Sequence, residues 1–198
     1  MDRLLALDEK VFLPEHRIDA TTTKQRLEIN SKTDIAVFDG ENLMGYVSLY
    51  PIPGDVYDQI KTGVFDEQKV EVSTLPFKRI GRYDAYLCGM AIDKESYPRF
   101  KGNYLIVQLQ KHLLSLKKNG FFVNRIIAHA VSIAGKKTLL RMGFKETLSN
   151  IFVYLCCKKG LLFIRERKDF TSERYLYILP KFSDFNCCHR ISGWDRDT

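Results

Sequence analysis

An apolar, strand-like run from Tyr86 to Ile92 precedes a strongly amphipathic helix from Tyr104 to Lys118, and the junction reads Arg99-Phe100-Lys101-Gly102-Asn103-Tyr104. A helix N-terminus presents unpaired backbone N–H groups and about half a positive charge. A glycine there lets an anion approach the main chain without meeting a Cβ. Arg99 and Lys101 add cationic donors, so strand, junction and helix together describe a phosphate cradle. One glycine between two basic residues also suits an ordinary basic loop, and the motif gains weight only from its surroundings. The helix is well specified: Leu105, Leu109, Leu113 and Leu116 share a face, Lys117 and Lys118 suit its negative end, and Asn119-Gly120 supplies a left-handed stop.

Upstream, Leu4, Leu5, Leu7, Val11 and Phe12 recur at near-helical spacing until Pro14 ends the segment. A second short helix follows, with Thr22 and Thr23 as caps and Lys24 to Ile29 as its body. Ile35–Phe38 and Leu43–Tyr50, joined by Asp39-Gly40-Glu41-Asn42, form the clearest hairpin, and Pro51 and Pro53 are expected to stop its second strand. Residues from about 52 to 82 hold a helical turn near Asp55–Lys61, two glycines and Pro76. They read as an insertion outside the core and a candidate acceptor-binding flap. Beyond the main helix, Arg125–Val131 is strand-like, Ser132 caps a helix running through Leu139 and Leu140, and Gly143-Phe144 ends it. Strands from about residue 150 are centred on Ile151–Leu155, Leu161–Ile164 and Tyr175–Leu179.

A chain of 198 residues, 45% hydrophobic, fits a single domain, 1–198, with a substantial core. Its formal net charge of +7 suits an anionic partner, which charge alone does not choose. Nucleic acid is disfavoured, because no basic face carries paired aromatics and no reader motif is present. The segment Met1–Leu7 lacks the basic start and long apolar centre of a signal peptide, and no run approaches the roughly 18 apolar residues of a membrane span. A cytoplasmic protein is expected. Five cysteines, Cys88 and the adjacent pairs Cys156-Cys157 and Cys187-Cys188, make a poor disulfide framework. Neighbouring strand residues point to opposite faces, so these pairs with His189 make a poor zinc site as well, and no metal is expected. The basic cluster Lys158, Lys159, Arg165, Arg167, Lys168 and Arg174 reads as a solvated hairpin, with a docking face for an acidic partner as the alternative.

The order helix, helix, hairpin, strand, cradle, helix, strand, helix, strands resembles the GNAT acetyltransferase superfamily from Leu4 to about Leu179. In that family a strand leads into a loop of Gln or Arg, two residues, Gly, one residue, then Gly or Ala. Arg99, Gly102 and Tyr104 occupy those positions. In the second signature, a strand and then a helix opening near Asn, with a Tyr seven residues on and Gly-Phe at the end, Ser132 takes the Asn position, Leu139 the Tyr position, and Gly143-Phe144 match. The resemblance implies an α/β (α+β) fold with a mixed, mostly antiparallel central sheet flanked by helices. It implies an N-acetyltransferase that moves acetyl from acetyl-CoA to a primary amine by direct attack, with coenzyme A in the cleft between the family's fourth and fifth strands. Arg99, Phe100, Lys101, Gly102, Asn103, Tyr104 and Ser132 would hold the cofactor, and the main chain of Met90 and Ile92 would hold its pantetheine arm. The acceptor would be a small-molecule or protein amine, and a homodimer is compatible. The alternative is a catalytically inactive GNAT-like protein that binds a cofactor or partner, suggested by two departures. Tyr104 stands where Gly or Ala is preferred, and Leu139 replaces a tyrosine that in many relatives protonates the departing thiolate.

Two residues are candidate bases for the acceptor amine. Alternation puts Asp84, Tyr86 and Cys88 on one strand face, opposite Ala85, Leu87 and Gly89. His129 lies on the next strand, and histidine as a residue type is chemically apt for the task. Cys88, a thiol in an apolar run, reads as a packing residue rather than a nucleophile.

Overall fold

The computed structural model describes residues 1–156 and Tyr177–Ile178. The expected strand at Leu161–Ile164, the basic cluster between Lys158 and Arg174, and Cys157, Cys187, Cys188 and His189 lie outside the described residues.

Helix α1 (Asp2–Val11) buries Leu4 and Leu7. Helix α2 (Ala20–Ile29) is capped by Asp19, whose carboxylate accepts from the amides of Thr21 and Thr22. The expected caps Thr22 and Thr23 instead lie within the helix, both buried. An ionised acceptor gains from the helix dipole as well as from the hydrogen bonds, which favours Asp19 over a threonine hydroxyl. Strands β1 (Asp34–Asp39) and β2 (Asn42–Ile52) form the expected hairpin, with Gly40 at φ 58°. Pro51 does not stop β2. The β1 pairing begins only at Asp34–Ser48, so β2 at Pro51 is bonded to a strand on one side, and no ladder needs the missing N–H.

The stretch expected to be an insertion outside the core is helical and packed. It forms α3 (Gly54–Thr62) and α4 (Glu67–Val72), and it buries Tyr57, Ile60 and Val70 at 2% exposure or less. Next come β3 (Gly81–Ile92), α5 (Gly102–Lys118), β4 (Phe121–His129), α6 (Ile133–Arg141), β5 (Lys145–Leu148), β6 (Ile151–Leu155) and β7 (Tyr177–Ile178). The sheet order is β5-β6-β4-β3-β2-β1-β7. Every neighbouring pair is antiparallel except β3 with β4, so the mixed, mostly antiparallel sheet flanked by helices is as expected. Strand β5 was not anticipated, because all its residues are exposed and it carries no apolar alternation.

On one face, Ile106, Leu109, Leu113 and Leu116 of α5 and Leu139 of α6 share a core with Val47, Leu49, Ala85, Leu87, Ile126 and Ala128. On the other, Tyr57, Ile60 and Val70 of α3 and α4 pack on Tyr50, Tyr86 and Ile127, and α1 packs on Ala36, Tyr46 and Ala91. Among the described residues no helix is long and apolar enough to cross a membrane.

The α1 contact carries a titratable lock. Asp8 accepts a hydrogen bond from the Tyr46 hydroxyl. Burial, only partly offset by that bond, pushes its pKa up from 3.8 to about 6. The neutral acid is therefore favoured by folding, and its contribution is fully present below about pH 4 and lost as pH rises through about 6. Asp8→Asn, which stays neutral, is expected to gain about 2 kcal/mol on the native chain between pH 4 and pH 7. Urea unfolding at both pH values measures it, and parallel pH curves for the two proteins would refute it.

Candidate active site

Strands β3 and β4 run side by side from the Gly81–Phe121 pair to the Leu87–Ala128 pair and then part. β4 ends at His129, while β3 continues along β2 to Ile92. The cause lies in the register. Leu49 faces Leu87 and the adjacent Ser48 faces Gly89, so Cys88 is an extra residue in β3. Such a bulge bends a strand and increases its twist. It also changes the faces. Ala85 and Leu87 pack towards α5, and Tyr86 and Cys88 towards α3 and α4, as alternation requires. Gly89, expected opposite Cys88, shares its side, since a Cβ there would point at the Tyr46 ring and hydroxyl.

Beyond the bulge the Asp93 N–H donates to the Met44 carbonyl of β2 at 2.9 Å. Alternate residues of an antiparallel strand direct their main-chain groups to the same side. Those of Ala91 therefore face β2, and the N–H groups of Met90 and Ile92 face the opening, as does the Met90 carbonyl. The Ile92 carbonyl accepts from Lys94 N–H in a turn. Both side chains pack in a cluster with Val37, Met44 and Leu105. What this edge offers the opening is backbone.

The turn after β3 is braced by Asp93. Its carboxylate accepts from the Ser96 amide (3.0 Å), the Ser96 hydroxyl (2.9 Å) and Lys10 Nζ (3.2 Å). The Ser96 amide bond is the largest of the effects that hold its pKa below the ordinary value. Lys94 Nζ donates to the Phe100 carbonyl. The Phe100 ring lies against Gly45, where a Cβ would sit 3.3 Å from Phe100 Cε1 and only 2.7 Å from the Ala91 carbonyl oxygen. α5 then starts at Gly102, and its N-cap Lys101 makes no side-chain cap. Gly102 has no fold-level reason to be glycine: a Cβ would meet only Ile92 Cδ1, at an ordinary 3.5 Å. Arg99, Lys101 and Asn103 are exposed around it. The half-buried Tyr104 ring leans edge-on against Phe100, with centroids 5.7 Å apart, and packs, like Met90 and Ile92, against the cluster of Val37, Met44 and Leu105. The structure thus gathers Met90, Ile92, Phe100, Gly102 and Tyr104.

The two expected bases occupy different settings. Both Asp84 carboxylate oxygens accept from Arg125, Oδ1 from Nε at 2.8 Å and Oδ2 from Nη2, and Arg125 lies 4.0 Å over the Tyr57 ring. His129 ends β4 at the point of divergence. Its Nδ1 lies 3.1 Å from Glu67 Oε1, and the Tyr86 hydroxyl donates to the same oxygen at 3.2 Å. The Phe65 ring stands perpendicular to the imidazole, with centroids 5.5 Å apart. Ser132 caps α6, its hydroxyl accepting from the Gly135 amide at 3.0 Å. Leu139 is a core residue. Desolvation pushes the Cys88 thiol well above its ordinary pKa, the opposite of what an activated nucleophile needs. Among the described residues no group of three or more His, Cys, Asp or Glu side chains could hold a metal ion.

Glu67, Tyr86 and Phe65 were not singled out from sequence. The available signal was Asp66, an N-cap residue ahead of helix formers, whose Oδ1 accepts from the amides of Gln68 and Lys69.

No protein-family model and no curated protein matches the sequence. Solved structures similar to the chain include the GphF GNAT-like decarboxylase in complex with isobutyryl-CoA, at 12% identity and a TM-score of 0.45, over 69% of this chain and 65% of that one. A tyrosine-to-phenylalanine mutant of KacT is similar at 20% identity and a TM-score of 0.37, over 62% and 69% of the two chains. AtaT complexed with acetyl-methionyl-tRNAfMet is similar at 14% identity and a TM-score of 0.36, over 60% and 66%. The chain thus spans just under two thirds of the length of the decarboxylase. In its element order, its one parallel strand pair among the described strands and the parting of that pair beyond a bulge, the chain has a GNAT-like fold.

Proposed function

We propose that this chain is an acyl-coenzyme A dependent N-acyltransferase, moving acetyl in the simplest case to a primary amine by direct attack. The observation that carries the reading is the backbone edge of Met90 and Ile92, free of β4 and leading to the uncapped start of α5. Coenzyme A fits these residues. Its peptide-like arm matches an edge of main-chain donors and acceptors, and its pyrophosphate matches helix amides at a glycine that packing does not require, between Arg99 and Lys101. When bound, the acyl-coenzyme A supplies a thioester and a thiolate leaving group.

The chain's own part is to orient both partners and accept a proton. As the amine nitrogen–acyl carbon bond forms and the carbon–sulfur bond breaks onto sulfur, the amine proton passes to His129. Asp84 is the poorer base, since Arg125 occupies both of its oxygens. Leu139 offers no proton to the leaving sulfur. A thiolate is a fair leaving group near neutral pH, so that absence costs about a hundredfold rather than all turnover.

The second reading, a protein that binds coenzyme A or a partner without transfer, is favoured by that same Leu139 and by Tyr104 beside the cradle. A panel of amines assayed with acetyl-CoA separates the two, since acyl transfer to any of them ends the second. Calorimetric titration tests the donor site, where no heat at millimolar acetyl-CoA would end the first. Gly102→Ala is expected to raise the dissociation constant for acetyl-CoA at least tenfold, about 1.4 kcal/mol. The same change leaves stability within about 1 kcal/mol, because the added methyl meets ordinary contact and alanine suits a helix. Unchanged affinity would remove Gly102 from the cradle.

A further inference from the structure

We infer that Glu67 is a positioning residue that fixes the tautomer of His129 and so leaves Nε2 as its proton-accepting nitrogen. The catalytic purpose of this rests on the acyltransferase reading; the tautomer itself does not.

Glu67 Oε1 meets two groups, the Tyr86 hydroxyl at 3.2 Å and His129 Nδ1 at 3.1 Å. A carboxylate only accepts hydrogen bonds, so the imidazole nitrogen facing it must carry the hydrogen. In the neutral ring the other nitrogen, Nε2, then holds the lone pair. The His129 side chain is 27% exposed and that of Glu67 25%, so the ring remains reachable from solvent at the point where β3 and β4 part.

The surroundings fix this arrangement from several elements. Glu67 opens α4, which is anchored by buried Val70 and by the Glu71–Arg26 ion pair at 2.6 Å. Tyr86 is fully buried on β3, in edge contact with Tyr50 and Phe65. Phe65 in turn stands against the imidazole, which limits its rotation. A carboxylate holding one imidazole nitrogen so that the other can take a proton is a general device for orienting a base. Here it joins the segment between β2 and β3 to the end of β4.

Long-range nitrogen–proton NMR on the neutral ring of the ligand-free full-length chain tests it, with His129→Ala identifying the signal. The expected result is the Nδ1–H tautomer in the native protein, reversal to Nε2–H in Glu67→Ala, and retention of Nδ1–H in Glu67→Gln, whose amide oxygen still accepts. A native ring protonated at Nε2, or a Glu67→Ala ring unchanged from the native one, overturns the inference. If Glu67→Ala does not fold, the native and Glu67→Gln spectra decide it, because both must show Nδ1–H. The measurement needs no ligand, so it can fail while acetyl-CoA binding succeeds, and the reverse.

Discussion

Replacing Arg26 with methionine is expected to lower the unfolding free energy by about 3–5 kcal/mol, and Tm by roughly 6–20 °C for a domain of this size. Arg26 lies in α2 at 2% exposure. Its Nε meets Glu71 Oε1 at 2.6 Å and its Nη1 meets Asp34 Oδ2 at 3.0 Å, with both acidic side chains at 2% exposure or less. Thr33 accepts from the same guanidinium, Ser48 donates to Asp34, and the guanidinium lies 5.3 Å over the Tyr50 ring. Burial raises the Glu71 pKa even with Arg26 alongside, a sign that water is excluded. Removing the cation would strand two carboxylates where neither can be solvated. The loss should be largely recovered by Arg26→Met combined with Asp34→Asn and Glu71→Gln, since the penalty comes from unpaired charge rather than from lost volume. Urea unfolding of both proteins measures this, and a single-variant loss below about 1 kcal/mol would show that the carboxylates find other partners.

The second large effect is kinetic. His129→Ala should reduce kcat/KM by about 10²–10⁴, the usual contribution of a positioned base, with the dissociation constant for acetyl-CoA unchanged. Asp84→Asn should behave differently. It breaks a partly buried pair with Arg125, and so costs about 1–2 kcal/mol of stability with little change in the chemical step. Steady-state rates with the best amine of a panel, together with thermal melts, separate the two variants. Equal kinetic losses, or a His129→Ala enzyme as fast as the native one, would reassign the base.

How much of this could be read from the chain depended on where the signal resided. The amphipathic stripe of α5, the Gly40 turn and the Ser132 cap are local, each set by residues a few positions apart, and they appear where expected. The direction of the Met90 and Ile92 backbone was expected from the family's pattern and follows in the structure from one hydrogen bond, Asp93 to Met44. The stretch from 52 to 82 hid its role, because Tyr57, Ile60 and Val70 are core residues set among charges in two short helices, too short for a periodic pattern to stand out. Glu67 was illegible for a different reason. Its partner His129 lies 62 positions away, and nothing in a carboxylate's sequence neighbours announces such a contact. The bulge was equally silent, since an apolar run looks the same whether or not one residue is out of step.

That single surplus residue has a wider consequence. Cys88 makes β3 two half-strands in series: the first is wedged between two neighbours, and the second leans on β2 alone. A slot in a sheet can therefore be created by chain arithmetic, without a longer loop or a second domain. Side chains on the two sides of the bulge need not share one alternation, because the miscount decouples one pleat from the other.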